Sequence, residues 1–160
     1  MIRQAKLNDL ESIIEIEHIC FPIAEAASAD SLEKRLNVFQ ECFYVAEINN
    51  EVVGFINGCM SDENRVRDEA YENINFHNPD GLYQMVFGLD VLPNYQHQGI
   101  AKELMYTFIE ISKKRHKKGI LLTCKKHLIG FYEQFGFVNQ GVSNSTHGDA
   151  VWYDMELLFN

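Results

Sequence analysis

Apolar positions follow two periods along this chain, and the switches between them mark its elements. Ile2 to Ala5 suits a short first strand. Asn8 and Glu11 have the spacing of a capping box, and Leu10, Ile13, Ile14 and Phe21 continue at helical spacing. Pro22 ends that helix near Cys20. A second helix starts at Asp30 or Ser31 and carries Leu32, Leu36 and Phe39. Cys42–Ile48 and Val52–Cys59 read as strands around Asn49-Asn50, a strong hairpin turn. Residues 61–80 are polar and charged and close on Asn78-Pro79-Asp80-Gly81, a turn signal. Leu82 to Leu92 is one long apolar run, read as a central strand with Gly88 a bulge or a point of close approach.

Beyond Pro93, Ala101, Leu104, Met105, Phe108 and Ser112 share one helical face, with Ile109 beside it. Lys113 to Lys118 is a cationic tail that suits a helix C-terminus, and Gly119 is its expected cap. Ile120 to Thr123 reads as a buried strand and His127 to Phe135 as a short helix ended by Gly136. Phe137–Val142 and Val151–Leu158 finish as strands. A hairpin followed by a strand–helix–strand unit implies an α/β fold, with a mixed sheet and helices on both faces. The chain has no internal repeat and no Pro/Gly/Ser-rich linker, and 160 residues fit one domain, 1–160.

Composition narrows the class. Hydrophobic residues are 46% and charged residues 23%, which excludes collagen-like and disordered architectures. No apolar run approaches the ~20 residues of a membrane helix, and no h-region follows the first residues. The expectation is a soluble cytoplasmic protein without membrane partners. A net charge of −9 disfavours nucleic acid and attracts cationic ligands. Cys20, Cys42, Cys59 and Cys124 lack C-x-x-C spacing and sit among apolar neighbours, so they read as reduced and buried.

The chemistry concentrates in Leu89-Asp90-Val91-Leu92-Pro93-Asn94-Tyr95-Gln96-His97-Gln98-Gly99-Ile100-Ala101. This is a strand, a turn and a helix start, where free N–H groups and the dipole favour an anion. Gly99 and Ala101 lack bulk, so a phosphate can approach the backbone. The turn is neither a Walker A loop nor a G-x-G-x-x-G fingerprint. On these residues alone, a phosphate site and an ordinary connection whose glycine eases packing both stand.

Gln96-x-x-Gly99-x-Ala101 after Val91-x-Pro93 resembles the Q/R-x-x-G-x-G/A motif of GNAT-family N-acetyltransferases. Downstream, Phe131-Tyr132-Glu133-Gln134-Phe135-Gly136-Phe137 is similar to the family's F-Y-x-x-x-G-F segment. The resemblance implies a GNAT fold, a mostly antiparallel mixed sheet. It implies acetyl-CoA as co-substrate, with Gln96, His97, Gln98, Gly99, Ile100 and Ala101 around its pyrophosphate. It also implies that Leu89 and Val91 pair with the pantetheine arm and that Tyr132 is the general acid. Glu15-Ile16-Glu17 through Cys20-Phe21-Pro22, Glu25-Ala26-Ala27-Ser28 and Cys124 resemble the arylalkylamine (serotonin) branch and its polyamine-acetylating relatives. The vertebrate enzymes carry a histidine pair on the central strand; Met85 and Phe87 stand there in this chain, so that proton relay does not transfer.

The reaction implied is direct transfer to a small primary amine. With a lysine-like pKa near ~10.4, roughly one amine in a thousand is neutral near pH 7.4, so a base or a water chain ending in carboxylates is useful. By the resemblance, Tyr132 is the residue expected to protonate the departing thiolate; its other reading is a core aromatic beside Phe131 and Phe135. Glu25, after Phe21-Pro22, is the carboxylate expected to recognise the amine, and a solvated loop acid is its plainer reading. Asp90 and Gln84 lie near the expected cofactor without an assigned role. No metal is expected, since Cys124-x-x-His127 is an isolated half-site. Cys124 has no base nearby in sequence and is not expected to be a nucleophile. Lys113–Lys118 reads as a solvated helix end rather than a nucleic-acid site, and Lys125 and Lys126 as candidates for CoA phosphates. The alternatives are a non-catalytic acyl-CoA-binding module and a protein or peptide N-acetyltransferase. The oligomeric state stays open between monomer and homodimer.

Overall fold

The computed structural model describes residues 1–160, which form two compact units. The first comprises residues 1–58 and 87–110, the second residues 59–86 and 111–160. No helix is long and apolar enough to cross a membrane.

In the first unit, β1 (Ile2–Gln4), β2 (Phe43–Ile48), β3 (Glu51–Asn57) and β6 (Gly88–Val91) form an antiparallel sheet in the order β1-β2-β3-β6. Asn49 and Asn50 make the tight β2–β3 turn with φ of 51° and 65°, the left-handed values such hairpins need. Side chains alternate across β2. Phe43 and Val45 join Ile13 and Ile16 of α1 (Leu10–Cys20) and Leu32 and Leu36 of α2 (Ala29–Val38) in one core. Tyr44 points the other way and meets Phe108 of α3 (Ile100–Lys114) edge-on, with ring centroids 6.2 Å apart. Helices therefore cover both faces of this sheet, as the element order implied.

Two helix starts differ from the pattern. Asn8 lies inside a 3-10 turn, Leu7–Asp9, and Asp9 rather than Glu11 accepts the Lys6 N–H, at 2.8 Å. Arg3 pairs with Asp9 at 2.8 Å and draws its carboxylate into that place. α2 begins at Ala29 because Ser28 caps it, accepting from the Ser31 N–H.

In the second unit the order is β4-β5-β7-β9-β8, with β4 Met60–Ser61, β5 Tyr83–Met85, β7 Gly119–Cys124, β8 Val138–Val142 and β9 Tyr153–Leu158. β5 and β7 are parallel and the other pairs antiparallel. The short helix α4 spans Ile129–Glu133, and Gly136 leaves it with φ +100°. Residues 61–80 hold two 3-10 turns, Asp68–Tyr71 and Ile74–Phe76. Asp68 pins that segment by accepting from Ser145 Oγ and the Thr146 N–H.

Two expectations fail here. The apolar run 82–92 is not one strand: the Val86 N–H bonds Leu121 O in the second unit, whereas the Phe87 N–H bonds Asn57 O in the first. Continuous hydrophobicity reports burial on both sides and is blind to a change of partner. Gly119 is not the cap of α3. His116, at φ +60°, ends that helix, with the Lys117 N–H on Ser112 O and the His116 N–H on Lys113 O, a Schellman arrangement. Gly119 lies within β7, where a Cβ would stand 2.4 Å from Leu157 O.

Close approach also fixes β6. A Cβ at Gly54 would lie 2.6 Å from Asp90 O. Gly54→Ala should therefore destabilise the protein by about 1–3 kcal/mol, the cost of overpacking. Gly130→Ala, on the exposed side of α4 with nothing within 4 Å of a new Cβ, should stabilise it by about 0.5–1 kcal/mol. Urea midpoints of the two variants check the contrast.

Candidate active site

β6 is the last strand of its sheet. The Leu92 N–H bonds Val53 O, and the β3–β6 register turns Asp90 and Leu92 toward β3. Alternation then places the backbone groups of Leu89 and Val91 on the outer edge. Val91 O there accepts from Gln96 Nε2 at 3.0 Å and from Cys20 Sγ at 3.3 Å. The Gln96 side chain thus folds the turn back onto β6.

The turn leads into α3 through two left-handed residues, His97 at φ +63° and Gly99 at φ +86°. Gln98 Nε2 secures it on Asn94 O. Residues 96–99 are exposed, Ala101 is half-buried and Ile100 is buried beneath them. Nothing lies within 4 Å of the side-chain position of Gly99, so the start of α3 is open on that side. The Glu103 N–H is the first to bond back into the turn, to Gly99 O. The earlier N–H groups of α3 belong to the part of a helix that has no intrahelical acceptor.

Behind β6 lies a polar cluster that periodicity did not reveal. Asp90 is 1% exposed, Glu17 of α1 6% and Arg35 of α2 3%. Arg35 Nη1 donates to Asn57 Oδ1 at 2.9 Å, and its guanidinium stands 4.6 Å from the centre of the Phe87 ring. Glu17 Oε2 accepts the Ala27 N–H at 2.8 Å. The Glu17 and Asp90 carboxylates converge on the side-chain position of Gly88, with Asp90 Oδ1 3.1 Å and Glu17 Oε1 3.8 Å from it. Neither Asp90 oxygen has a hydrogen-bond partner. Burial first and Glu17 second push the Asp90 carboxyl well above the ordinary aspartate range; Arg35 opposes them. Glu25 is half-buried in the turn after Pro22, where its N–H bonds Pro22 O. Glu17, by accepting from Ala27, ties that loop to α1.

In the second unit Tyr132 is buried on α4, edge-on to Phe131 and Phe137 at 5.1 and 5.8 Å. Burial pushes the Cys124 thiol up to about 11, which keeps it protonated and a poor nucleophile near neutral pH. Gln84 is buried, and its Nε2 bonds Cys59 O and Met85 O, which makes it a strand brace. Lys117 Nζ bonds Pro79 O and Gly81 O, and Lys113 Nζ sits 5.6 Å from the centre of the Phe159 ring. These two cations of the tail serve the fold. Lys125 Nζ lies 5.8 Å from the Trp152 ring centre, and Tyr71 stacks on His147.

The sequence and fold have known counterparts. Residues 10–137 match the acetyltransferase (GNAT) family. The chain is 28% identical over 133 residues to probable hydrolase YhcX of Bacillus subtilis (strain 168), covering 76% of this chain and 25% of that protein. It is 26% identical over 106 residues to serotonin N-acetyltransferase of Mesocricetus auratus, covering 66% of this chain and 50% of that enzyme. The chain spans between 25% and 58% of the length of the curated relatives it matches. Its fold superposes on GphF, a GNAT-like decarboxylase in complex with isobutyryl-CoA, with a TM-score of 0.85 at 17% identity over 99% of this chain and 98% of that one. By the match over residues 10–137, the chain belongs to the acetyltransferase (GNAT) family.

Proposed function

We propose that this protein transfers the acetyl group of acetyl-CoA to a small primary amine, an arylalkylamine or a polyamine. One observation supports the reading most: a strand with an unpaired outer edge runs through a left-handed turn into an open helix start. Acetyl-CoA supplies an activated thioester. The amides of Gln96, His97, Gln98, Gly99, Ile100 and Ala101 suit its pyrophosphate, and Gly99 leaves the space a phosphate needs. The backbone edge of Leu89 and Val91 suits the pantetheine amides. Val91 O already accepts from two side chains, so the Val91 N–H and the Leu89 groups are the ones assigned to the arm.

In the reaction the amine nitrogen bonds to the acyl carbon and the C–S bond breaks. Tyr132 gives its hydroxyl proton to the sulfur, and the proton that the nitrogen sheds on becoming an amide restores that hydroxyl. Glu25 holds the cationic amine before it reacts, and the charge of −9 favours such a ligand. The likeness to serotonin N-acetyltransferase supports an amine acceptor. We read residues 1–160 as one acetyltransferase domain acting in the cytoplasm on a small-molecule substrate.

Three measurements test this reading. Gly99→Val forces a β-branched residue into φ +86° and fills the open helix start, so calorimetry should show weakened acetyl-CoA binding in a folded protein. Unchanged affinity would remove the phosphate assignment. Tyr132→Phe keeps the ring and its packing, and should lower kcat by about 10²–10⁴ with little change in acetyl-CoA affinity. A wild-type kcat, with chemistry limiting, would reduce Tyr132 to packing. Glu25→Gln should raise KM for a cationic amine, more for a diamine than a monoamine, and less at high salt. Unaltered KM for both at low salt would place the amine elsewhere.

A further inference from the structure

We propose that the buried Glu17–Asp90 carboxyl pair is the proton acceptor for the acceptor amine, reached through a notch at Gly88. The inference rests on the amine-acetyltransferase reading above and adds the base that reading lacks.

The geometry is local to β6 and the helices packed on it. Gly88 is half-exposed. Its side-chain position stands 3.1 Å from Asp90 Oδ1, 3.4 Å from Asn57 Nδ2 and 3.8 Å from Glu17 Oε1. Three polar groups thus converge where a side chain is missing, at the point where the strand reaches solvent. Two of them are unmet: neither Asp90 oxygen has a donor, and Asn57 Nδ2 has no acceptor. One water in the notch, donating to Asp90 and accepting from Asn57, satisfies both. Buried polar atoms are ordinarily partnered, and an acid kept only for packing would have donors built around it.

The electrostatics suit a base. An aspartate at its ordinary value near ~3.9 is too weak to draw a proton from an ammonium. Burial and Glu17 raise Asp90. Arg35 of α2 is the cation of the cluster; Asn57 of β3 is neutral. Cys20 of α1 is pushed up to about 12 by burial, Asp90 and Glu17, and stays protonated. In the reacting form Asp90 is ionised. An ammonium N–H bond breaks, its proton passes through the notch water to an Asp90 oxygen, and the electron pair stays on nitrogen as the nucleophile. After acyl transfer the proton returns through the notch to bulk water.

Asp90→Asn keeps the shape, donates to Glu17 and accepts from Asn57, but does not titrate. Across a pH series, wild-type kcat/KM for the amine should show a limb that rises with pH as Asp90 ionises. Asp90→Asn should lose that limb and about 10²–10⁴ of kcat/KM at neutral pH, with acetyl-CoA affinity by calorimetry unchanged. Glu17→Gln still accepts the Ala27 N–H and removes the like charge, so it should move the limb to lower pH with a smaller loss. This variant decides the matter should Asp90→Asn fail to fold. Infrared spectroscopy should find a protonated-carboxyl band at neutral pH in the wild type that Asp90→Asn abolishes, whether or not an amine turns over. A wild-type pH profile in Asp90→Asn, an unmoved limb in Glu17→Gln, or a band that survives Asp90→Asn would overturn the proposal while leaving the acetyltransferase reading intact. Absence of amine acetylation by the wild type, with acetyl-CoA bound, would overturn that reading and this base with it.

Discussion

Backbone N–H and C=O groups demand partners, and β6 has a neighbouring strand along one edge only. Most of the first unit is arranged around this strand. Gly54 lets β3 press close enough to pair with it. Cys20 and Gln96 come from opposite directions in sequence to cover Val91 O. Glu17 meets the Asp90 side chain and holds the loop after α1. A strand supported on one side and open on the other is a template for an extended, amide-bearing ligand, by the same hydrogen-bond logic as strand addition.

The second unit uses its polar groups differently. Gln84 braces two carbonyls, Lys117 two more, and Asp68 holds a distant loop. These three polar groups are satisfied, and they rigidify. The Asp90 cluster is incomplete by comparison, and incompleteness in a buried position costs stability. Such a cost is usually retained where a site needs an open valence.

Local patterns made much of this fold legible. Helical spacing found α1, α2 and α3, and Asn49-Asn50 found the hairpin. The Q-x-x-G-x-A turn marks the start of α3 in the sequence itself. The division of residues 82–92 was invisible because both halves are apolar and only their partners differ. Gly119 misled because a glycine after a basic run suits a cap, whereas its backbone neighbour lies in β9, distant in sequence. The acidic pair left a fainter trace. Glu17 falls on the stripe Leu10, Ile13, Ile14 and Phe21, and Arg35 on the stripe Leu32, Leu36 and Phe39. Asp90 interrupts an apolar run. Each is a charged residue where the period calls for an apolar one, and together they form the cluster that one-dimensional spacing could not assemble.

The cysteines have a bearing on the product. All four are free; Cys42, Cys59 and Cys124 are buried and Cys20 is half-buried. Cys20 and Cys124 are held far from ionisation near neutral pH. Disulfide exchange starts from a thiolate. The proposed transfer from acetyl-CoA would liberate a free thiol at every turnover. With Cys20 and Cys124 held protonated and Cys42 and Cys59 buried, the protein's own sulfurs are poorly placed to exchange with the disulfide form of such a thiol, which would insulate the proposed turnover from the redox history of the coenzyme.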